Sequence, residues 1–156
     1  MLGYPAGKAL EGDVLARAEE ALEWYQRHGR PRVVTRVVGN ETLAAITAGR
    51  EVEEEVARLW AADRVDEAYF LDRLAAAVVE HRALSLGTPR SPGHKGFPLE
   101  EQPRLYALLE PLEIELLPSG MLNPKNSLLA IYGPEERGGS PCPGCDWRCS
   151  FRRKAA

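Results

Sequence analysis

Hydrophobic residues recur at helical spacing over residues 11 to 28. Val14, Leu15, Ala18, Ala21, Leu22 and Tyr25 share one face there, and Gly29 follows as a stop. The period then changes. Arg32-Val33-Val34-Thr35-Arg36-Val37-Val38 is β-branched and bounded by Pro31 and Gly39, which predicts a strand. Gly39-Asn40 is a turn dipeptide, and Leu43 to Ala48 predicts a second, short strand. From Arg50 to Leu86 there is neither Gly nor Pro, and the pattern is helical throughout. As one helix it would run roughly 55 Å, more than a domain of this size usually accommodates. The expectation is therefore a break near Asp63, acting as an N-cap, with helices over 50–61 and 64–84. The first carries Val52, Val56, Leu59 and Trp60 on one face; the second carries Val65, Tyr69, Leu71, Leu74, Val78 and Val79.

Gly87 to Pro98 is dense in Gly and Pro and reads as irregular. A short helix is predicted from Pro98 to about Leu109, with Pro103 early in it. Ile114 to Leu117 and Ser127 to Tyr132 read as strands joined through Pro118-Ser119-Gly120 and Asn123-Pro124, an ordinary hairpin when taken alone. Regularity ends after Gly133. Helices and strands mix without a βαβ rhythm, so the predicted class is α+β, with an antiparallel twisted sheet packed against helices. Two parts are expected: a domain over residues 1–133 and an irregular Cys-rich tail over 134–156. Trp24, Tyr25, Trp60 and Phe70 sit at helical spacing and read as core, and His28 and His81 fall near helix ends.

With 156 residues, 44% hydrophobic and 28% charged, the composition is that of one globular domain with an ordinary core. No apolar run is long enough to span a bilayer, and the N-terminus lacks a secretory pattern, so no membrane partner and a cytoplasmic location are expected. The net charge of -3 argues against a broad phosphate-binding surface and hence against nucleic acid as a partner. No Ser-His-Asp arrangement or phosphate-binding glycine motif supports a hydrolase or kinase.

The densest chemistry lies in Pro141-Cys142-Pro143-Gly144-Cys145-Asp146-Trp147-Arg148-Cys149, which holds every cysteine of the chain within eight residues. An odd count at CxxC spacing argues for reduced, ligating thiols over a disulfide framework. Pro and Gly between the first pair suit a tight loop that turns Cys142, Cys145 and Cys149 toward one metal centre. An iron–sulfur cluster and a tetrahedral zinc both use that geometry. Incidental thiols in a tail are the bland alternative. A second candidate is the loop Arg90-Ser91-Pro92-Gly93-His94-Lys95-Gly96-Phe97-Pro98, where Gly lets amides approach a ligand and Arg90, His94 and Lys95 are cationic or polar. Its bland alternative is a structural connector. Residues 116–133 offer a further edge rich in small residues and turn prolines.

Together the segments 90–103 and 116–133 resemble the activation domain of vitamin B12-dependent methionine synthase, in its free-standing, compact bacterial version. The first is similar to that family's Ser-Pro-Gly-Tyr-Gly stretch and following helix. The second is similar to its Ser-Val-Ser-Gly element and Tyr-bearing strand, with Ser119, Pro124, Ser127 and Tyr132 at matching positions. Leu2-Gly3-Tyr4, Pro31-Arg32-Val33-Val34, Ala48-Gly49-Arg50-Glu51-Val52, Leu71-Asp72-Arg73-Leu74 and the terminal Cys-rich ending extend the likeness over nearly the whole chain.

The resemblance implies an activation-domain-like fold and a role beside a partner that carries cobalamin. In methionine synthase the domain binds S-adenosylmethionine and presents it to cob(II)alamin during reductive remethylation. It implies that Arg90, Pro92, Gly93, His94 and Tyr132 line a ligand-facing cleft, with S-adenosylmethionine as the candidate ligand. The expected function is an accessory factor that docks on a corrinoid protein or cobalamin-dependent methyltransferase and supports reductive reactivation of cob(II)alamin. The alternative is a non-catalytic corrinoid-protein-binding module with a structural zinc site. Three positions depart from the family pattern. His94 stands where the family has Tyr, Arg90 is displaced by one residue from the motif arginine, and Ala76 stands where methionine synthase has a carboxylate. A sulfonium ligand wants anionic and aromatic partners, so these departures weaken that cleft. Three thiolates leave a fourth ligand to come from elsewhere, for which His94, Asp146 and a partner side chain are candidates.

Overall fold

The computed structural model describes residues 9–94, 96–109 and 113–134. The predicted helix and strand order holds closely. Helix α1 spans Gly12–His28, strand β1 Arg32–Val38, β2 Glu41–Thr47, α2 Arg50–Ala61 and α3 Val65–Leu86. A 3-10 turn, Leu99–Glu101, leads into α4, Gln102–Leu109, and three strands follow: β3 Glu115–Leu116, β4 Leu122–Asn123 and β5 Ser127–Tyr132. The class is α+β with an antiparallel sheet of order β1-β2-β5 and a separate two-stranded sheet, β3-β4.

Strand β2 is the axis of the molecule because both its faces are buried. Its register runs from Arg32↔Thr47 to Val38↔Glu41 on one side and from Thr42↔Tyr132 to Thr47↔Ser127 on the other. Alternation then sorts the residues between two cores. Ala44 and Ile46 of β2 with Ala130 and Tyr132 of β5 face α1, α2 and α3. Leu43 and Ala45 with Leu129 and Ile131 face α4 and the β3-β4 hairpin, meeting Leu105, Leu109, Ile114 and Leu122. A strand walled on both sides has no polar face to show, and Thr-Leu-Ala-Ala-Ile-Thr has almost none.

Helix α3 reaches the sheet through small residues. Ala68, Ala75 and Ala83 are buried beside Leu71 and Val79, so the helix axis lies close to the strands. The larger residues expected on that face are displaced outward: Val65 and Tyr69 are exposed. Trp60, expected in the core, is also exposed, because α2 buries only its Val52, Val56 and Leu59 stripe. On α1, Ala21 and Tyr25 are buried while Leu15 and Leu22 face outward.

Two other expectations are corrected. The break between α2 and α3 falls where predicted, but Asp63 is not an N-cap. It sits at φ 58°, and Asp63 N donates to Trp60 O (3.2 Å) while Arg64 N donates to Leu59 O (2.9 Å). Those two bonds are a Schellman C-cap, in which Asp63 occupies the left-handed position usually given to Gly. Strand β3 does not form a hairpin with β5. It pairs with β4 across a tight turn closed by Gly120 N to Leu117 O (2.8 Å), and β5 leaves to pair with β2. The Cys-rich tail, 134–156, falls outside the described residues apart from Pro134.

Candidate functional site

Helix α3 ends at Gly87, and the chain turns back along β5. Arg90 locks onto that strand by reciprocal backbone bonds, Arg90 N to Ile131 O (3.0 Å) and Ile131 N to Arg90 O (2.8 Å). The predicted irregular loop therefore extends the sheet by one bridge at its β5 edge, an attachment that no local pattern signals.

Beyond Arg90 the loop folds by turn chemistry. Ser91-Pro92-Gly93-His94 is closed by His94 N donating to Ser91 O (3.0 Å), with Pro92 at the first corner and Gly93 at φ 92° at the second. That is the type II pattern, in which the second corner needs a positive φ that Gly adopts without a Cβ clash. Gly96, at φ 75°, serves the following turn, closed by Phe97 N to His94 O (2.9 Å) and braced by Gly93 N to Phe97 O (2.8 Å). The His94 Nδ1 accepts from Ser91 N (3.4 Å).

These turns set His94 on the rim of an open groove of about 280 Å³. Its apolar wall comes from Ala76, Val79, Ala83 and Leu84 of α3, with Pro89 and Leu128. Its polar side comes from Ser91, His94, Lys125, Asn126 and Ser127, with Glu80 on the helix. Three segments distant in sequence thus meet: the middle of α3, the Pro-Gly loop and the start of β5. An apolar wall opposed by convergent polar groups suits a small ligand of mixed polarity.

A carboxylate holds this arrangement in place. Asp72, one turn before Ala76, is buried on α3. Its Oδ1 accepts from Asn126 Nδ2 (3.0 Å) and meets Lys125 Nζ (2.9 Å), and its Oδ2 accepts from Arg73 Nη2 (2.7 Å). Burial pushes the Asp72 pKa upward, but the hydrogen bonds from Arg73, Lys125 and Asn126 outweigh it and hold the carboxyl below its ordinary range. Lys125 is fixed a second time, its backbone N donating to Glu53 Oε2 of α2 (2.8 Å). Asn126 O accepts from Ala48 N (3.0 Å), and Ser127 Oγ donates to Thr47 Oγ1 (2.9 Å), tying the same loop to β2. Sequence reading noticed Asp72 only within the Leu-Asp-Arg-Leu likeness. Its signal was an Asp among the apolar positions of a helix, which is rarely buried unless paired.

The five cleft residues read from the sequence separate. His94 lines the groove, and Pro92 and Gly93 form the turn that carries it. Arg90 points away, its Nη2 donating to Glu41 Oε1 (2.8 Å) at the far end of β2. Tyr132 is a core residue rather than a lining one. It is 3% exposed, and its hydroxyl donates to Ala83 O (3.1 Å), so it supports the α3 wall from behind. Burial pushes the Tyr132 pKa up to about 12. Ser91 Oγ is buried with no hydrogen-bond partner, and His94 meets the Ser91 backbone rather than its hydroxyl. That geometry is not a nucleophile–base pair.

Cys142, Cys145 and Cys149 lie outside the described residues. Among the described residues, no group of three His, Cys, Asp or Glu side chains could hold a metal ion. No described helix is long and apolar enough to cross a membrane. A second depression of about 300 Å³ between α1, α2 and α3 is charged, but its Arg17, Arg58 and Arg64 pair with Glu20, Glu55 and Glu67, each three residues away along the chain, and Arg17 also reaches from α1 to Glu67 of α3 (3.9 Å). No protein-family model and no curated protein matches the chain.

Proposed function

We propose that the chain is an accessory factor for a cobalamin-dependent methyltransferase or corrinoid protein, with an activation-domain-like fold. It docks on that partner and supports reductive reactivation of cob(II)alamin. One observation carries the reading. Three of the segments that carry the resemblance, 71–74, 90–103 and 116–133, are far apart in sequence, yet Ser91, His94, Lys125, Asn126, Ser127 and Leu128 line one groove and Asp72 holds its Asn126 and Lys125 in place.

S-adenosylmethionine is the candidate occupant, and the fit is partial. Among the described residues no Phe, Tyr or Trp ring lines the groove, and Ala76 offers no carboxylate. Glu80, one turn further along the same wall, is the carboxylate among the lining residues. His94, Lys125, Asn126 and Ser127 supply polar contacts for an amino-acid or ribose portion, and Val79, Ala83 and Leu84 an apolar bed for a flat ring. Bound in this way, S-adenosylmethionine would supply the methyl group that the partner's reduced cobalt accepts. The electron for that reduction comes from an external donor. In this reading Cys142, Cys145 and Cys149 hold an iron–sulfur centre that relays it.

The test is anaerobic incubation of cob(II)alamin-loaded methyltransferase with a reductant, S-adenosylmethionine and this protein. Faster formation of Co(I) or methylcobalt in its presence, reduced by Leu128→Trp to fill the groove, supports the reading. An unchanged rate refutes it. Visible absorption and metal analysis of anaerobically purified protein separate the two roles of the thiols. A brown, reducible protein supports electron relay, whereas a colourless protein with stoichiometric zinc leaves a docking role without electron transfer.

A further inference from the structure

Ser91 shapes its turn through the main chain alone. Its carbonyl accepts from His94 N (3.0 Å) and its amide donates to His94 Nδ1 (3.4 Å), so an alanine would serve that turn equally well. The hydroxyl is a different matter. Ser91 is 4% exposed and lines the groove, and its Oγ has no hydrogen-bond partner among the described residues. A buried hydroxyl without a partner has lost its water and found no replacement, so chains rarely keep one.

The charge on the same polar side is positive. Lys125 Nζ, half-exposed, and Arg73 Nη2 both face the Asp72 carboxylate (2.9 and 2.7 Å), so one anion answers two cations. Of the nearby acids, Glu53 is turned to the Lys125 backbone amide (2.8 Å), and Glu80, on the helical wall, is already engaged in an interaction. An ammonium has three N–H bonds, and Asp72 takes one of those of Lys125. Val79, Ala83, Leu84 and Leu128 make the rest of the groove an apolar bed.

We propose that Ser91 Oγ and Lys125 Nζ form a carboxylate subsite, which takes the acid group of a small amphipathic molecule while its apolar part lies on α3. The inference rests on the groove being the ligand site proposed above, and it gives that ligand a direction. The amino-acid carboxylate of S-adenosylmethionine lies at the loop end, and the adenine lies toward Val79 and Ala83. Rotation about χ1 turns the Ser91 hydroxyl between staggered positions without disturbing the turn, so the seated carboxylate recruits it. A carboxylate carries one charge and only acceptor lone pairs, which matches one hydroxyl donor and one ammonium. A doubly charged phosphate would set two negative charges against a single lysine, with Asp72 and Glu80 close by.

Titration of the full chain, followed by amide NMR, tests the subsite with S-adenosylhomocysteine, methylthioadenosine, hexanoate and hexanamide as probes. The two nucleosides share ring and ribose, but only the first has a carboxylate; hexanoate and hexanamide differ in charge and little in shape. S-adenosylhomocysteine is expected to bind about tenfold tighter than methylthioadenosine, or more. Hexanoate is expected to shift the Ser91 and Lys125 amides at millimolar concentration where hexanamide does not. Ser91→Ala should weaken both carboxylates about tenfold while the melting temperature holds or rises, because it removes a buried hydroxyl that the described residues leave unpaired. Lys125→Met, which keeps the stem, weakens them as well. Probes that bind alike with and without the carboxylate overturn the proposal. So does a Ser91→Ala variant that loses stability and keeps its affinity, since water or another part of the chain would then answer the hydroxyl. Hexanoate recognised by a chain that binds neither nucleoside supports the subsite and removes S-adenosylmethionine from it, whereas a chain that recognises no carboxylate overturns both.

Discussion

Asp72 is the side chain on which the groove's polar side depends, and replacing it gives a measurable consequence. Asp72→Ala removes the acceptor of Asn126 Nδ2 and the counter-charge of Lys125 and Arg73. A hydrogen bond to a charged group is worth roughly 1.5–3 kcal/mol, and the part-buried Asn126 contact falls toward the lower end of that range. Lys125 and Arg73 are half-exposed, so each pairing adds at most about 1 kcal/mol after solvent screening. The expected loss is about 2–3 kcal/mol, or roughly 4–12 °C in Tm for a chain of this size. The pH dependence has a definite sign. The folded pKa of Asp72 lies below its ordinary value of 3.8, so its contribution is fully present above that value and is lost as pH falls through the folded pKa. Asp72→Asn keeps the shape and removes the charge, and it is expected to flatten this acid limb. Urea unfolding at neutral pH and in steps down to about pH 2.5 measures both effects. A loss below about 0.5 kcal/mol for Asp72→Ala, the range of an ordinary surface change, would refute the reasoning. An acid limb unchanged in Asp72→Asn would refute it too.

Two further outcomes follow from positions outside the groove. At Asp63, held at φ 58°, a β-branched residue pays a steric cost that Gly does not, so Asp63→Val is expected to lose about 1–2 kcal/mol while Asp63→Gly stays within ~0.5 kcal/mol of the native chain, as read by chemical denaturation. Tyr25 and Tyr132 both have pKa values raised from 10.0 to about 12, by burial first and, for Tyr25, by Glu51 next. A raised folded pKa means their stabilisation is complete below 10.0 and lost as pH rises through 12. Ultraviolet titration should therefore show two tyrosines ionising late and together with unfolding, and normal titration of all five would contradict their burial.

The elements were legible because their signals are local. A β-branched run between Pro31 and Gly39 has one stable use, and the long Gly- and Pro-free stretch had to be helical. Even the break at Asp63 was visible from length alone, although its cap was not. An Asp before a helix suits an N-cap equally well, and only the path of the chain puts it in the left-handed position. The Pro92-Gly93 turn was also readable, because a positive φ after a proline is a demand that Gly meets at once.

What the sequence by itself determined is which segments are helices, which are strands apart from β4 (Leu122–Asn123, read as part of a turn), and that a stiff Pro-Gly bend precedes His94. What only the tertiary structure decided is who meets whom. Strand β5 has the same apolar character whether it pairs with β3 or with β2, and the choice rests on two buried faces that exist only once α1–α3 and α4 have closed on the sheet. Alternation along β5 then turns Tyr132 inward to Ala83 and leaves Leu128 at the groove. Pairing is a long-range contest among similar strands, and local preference carries no term that separates the contestants.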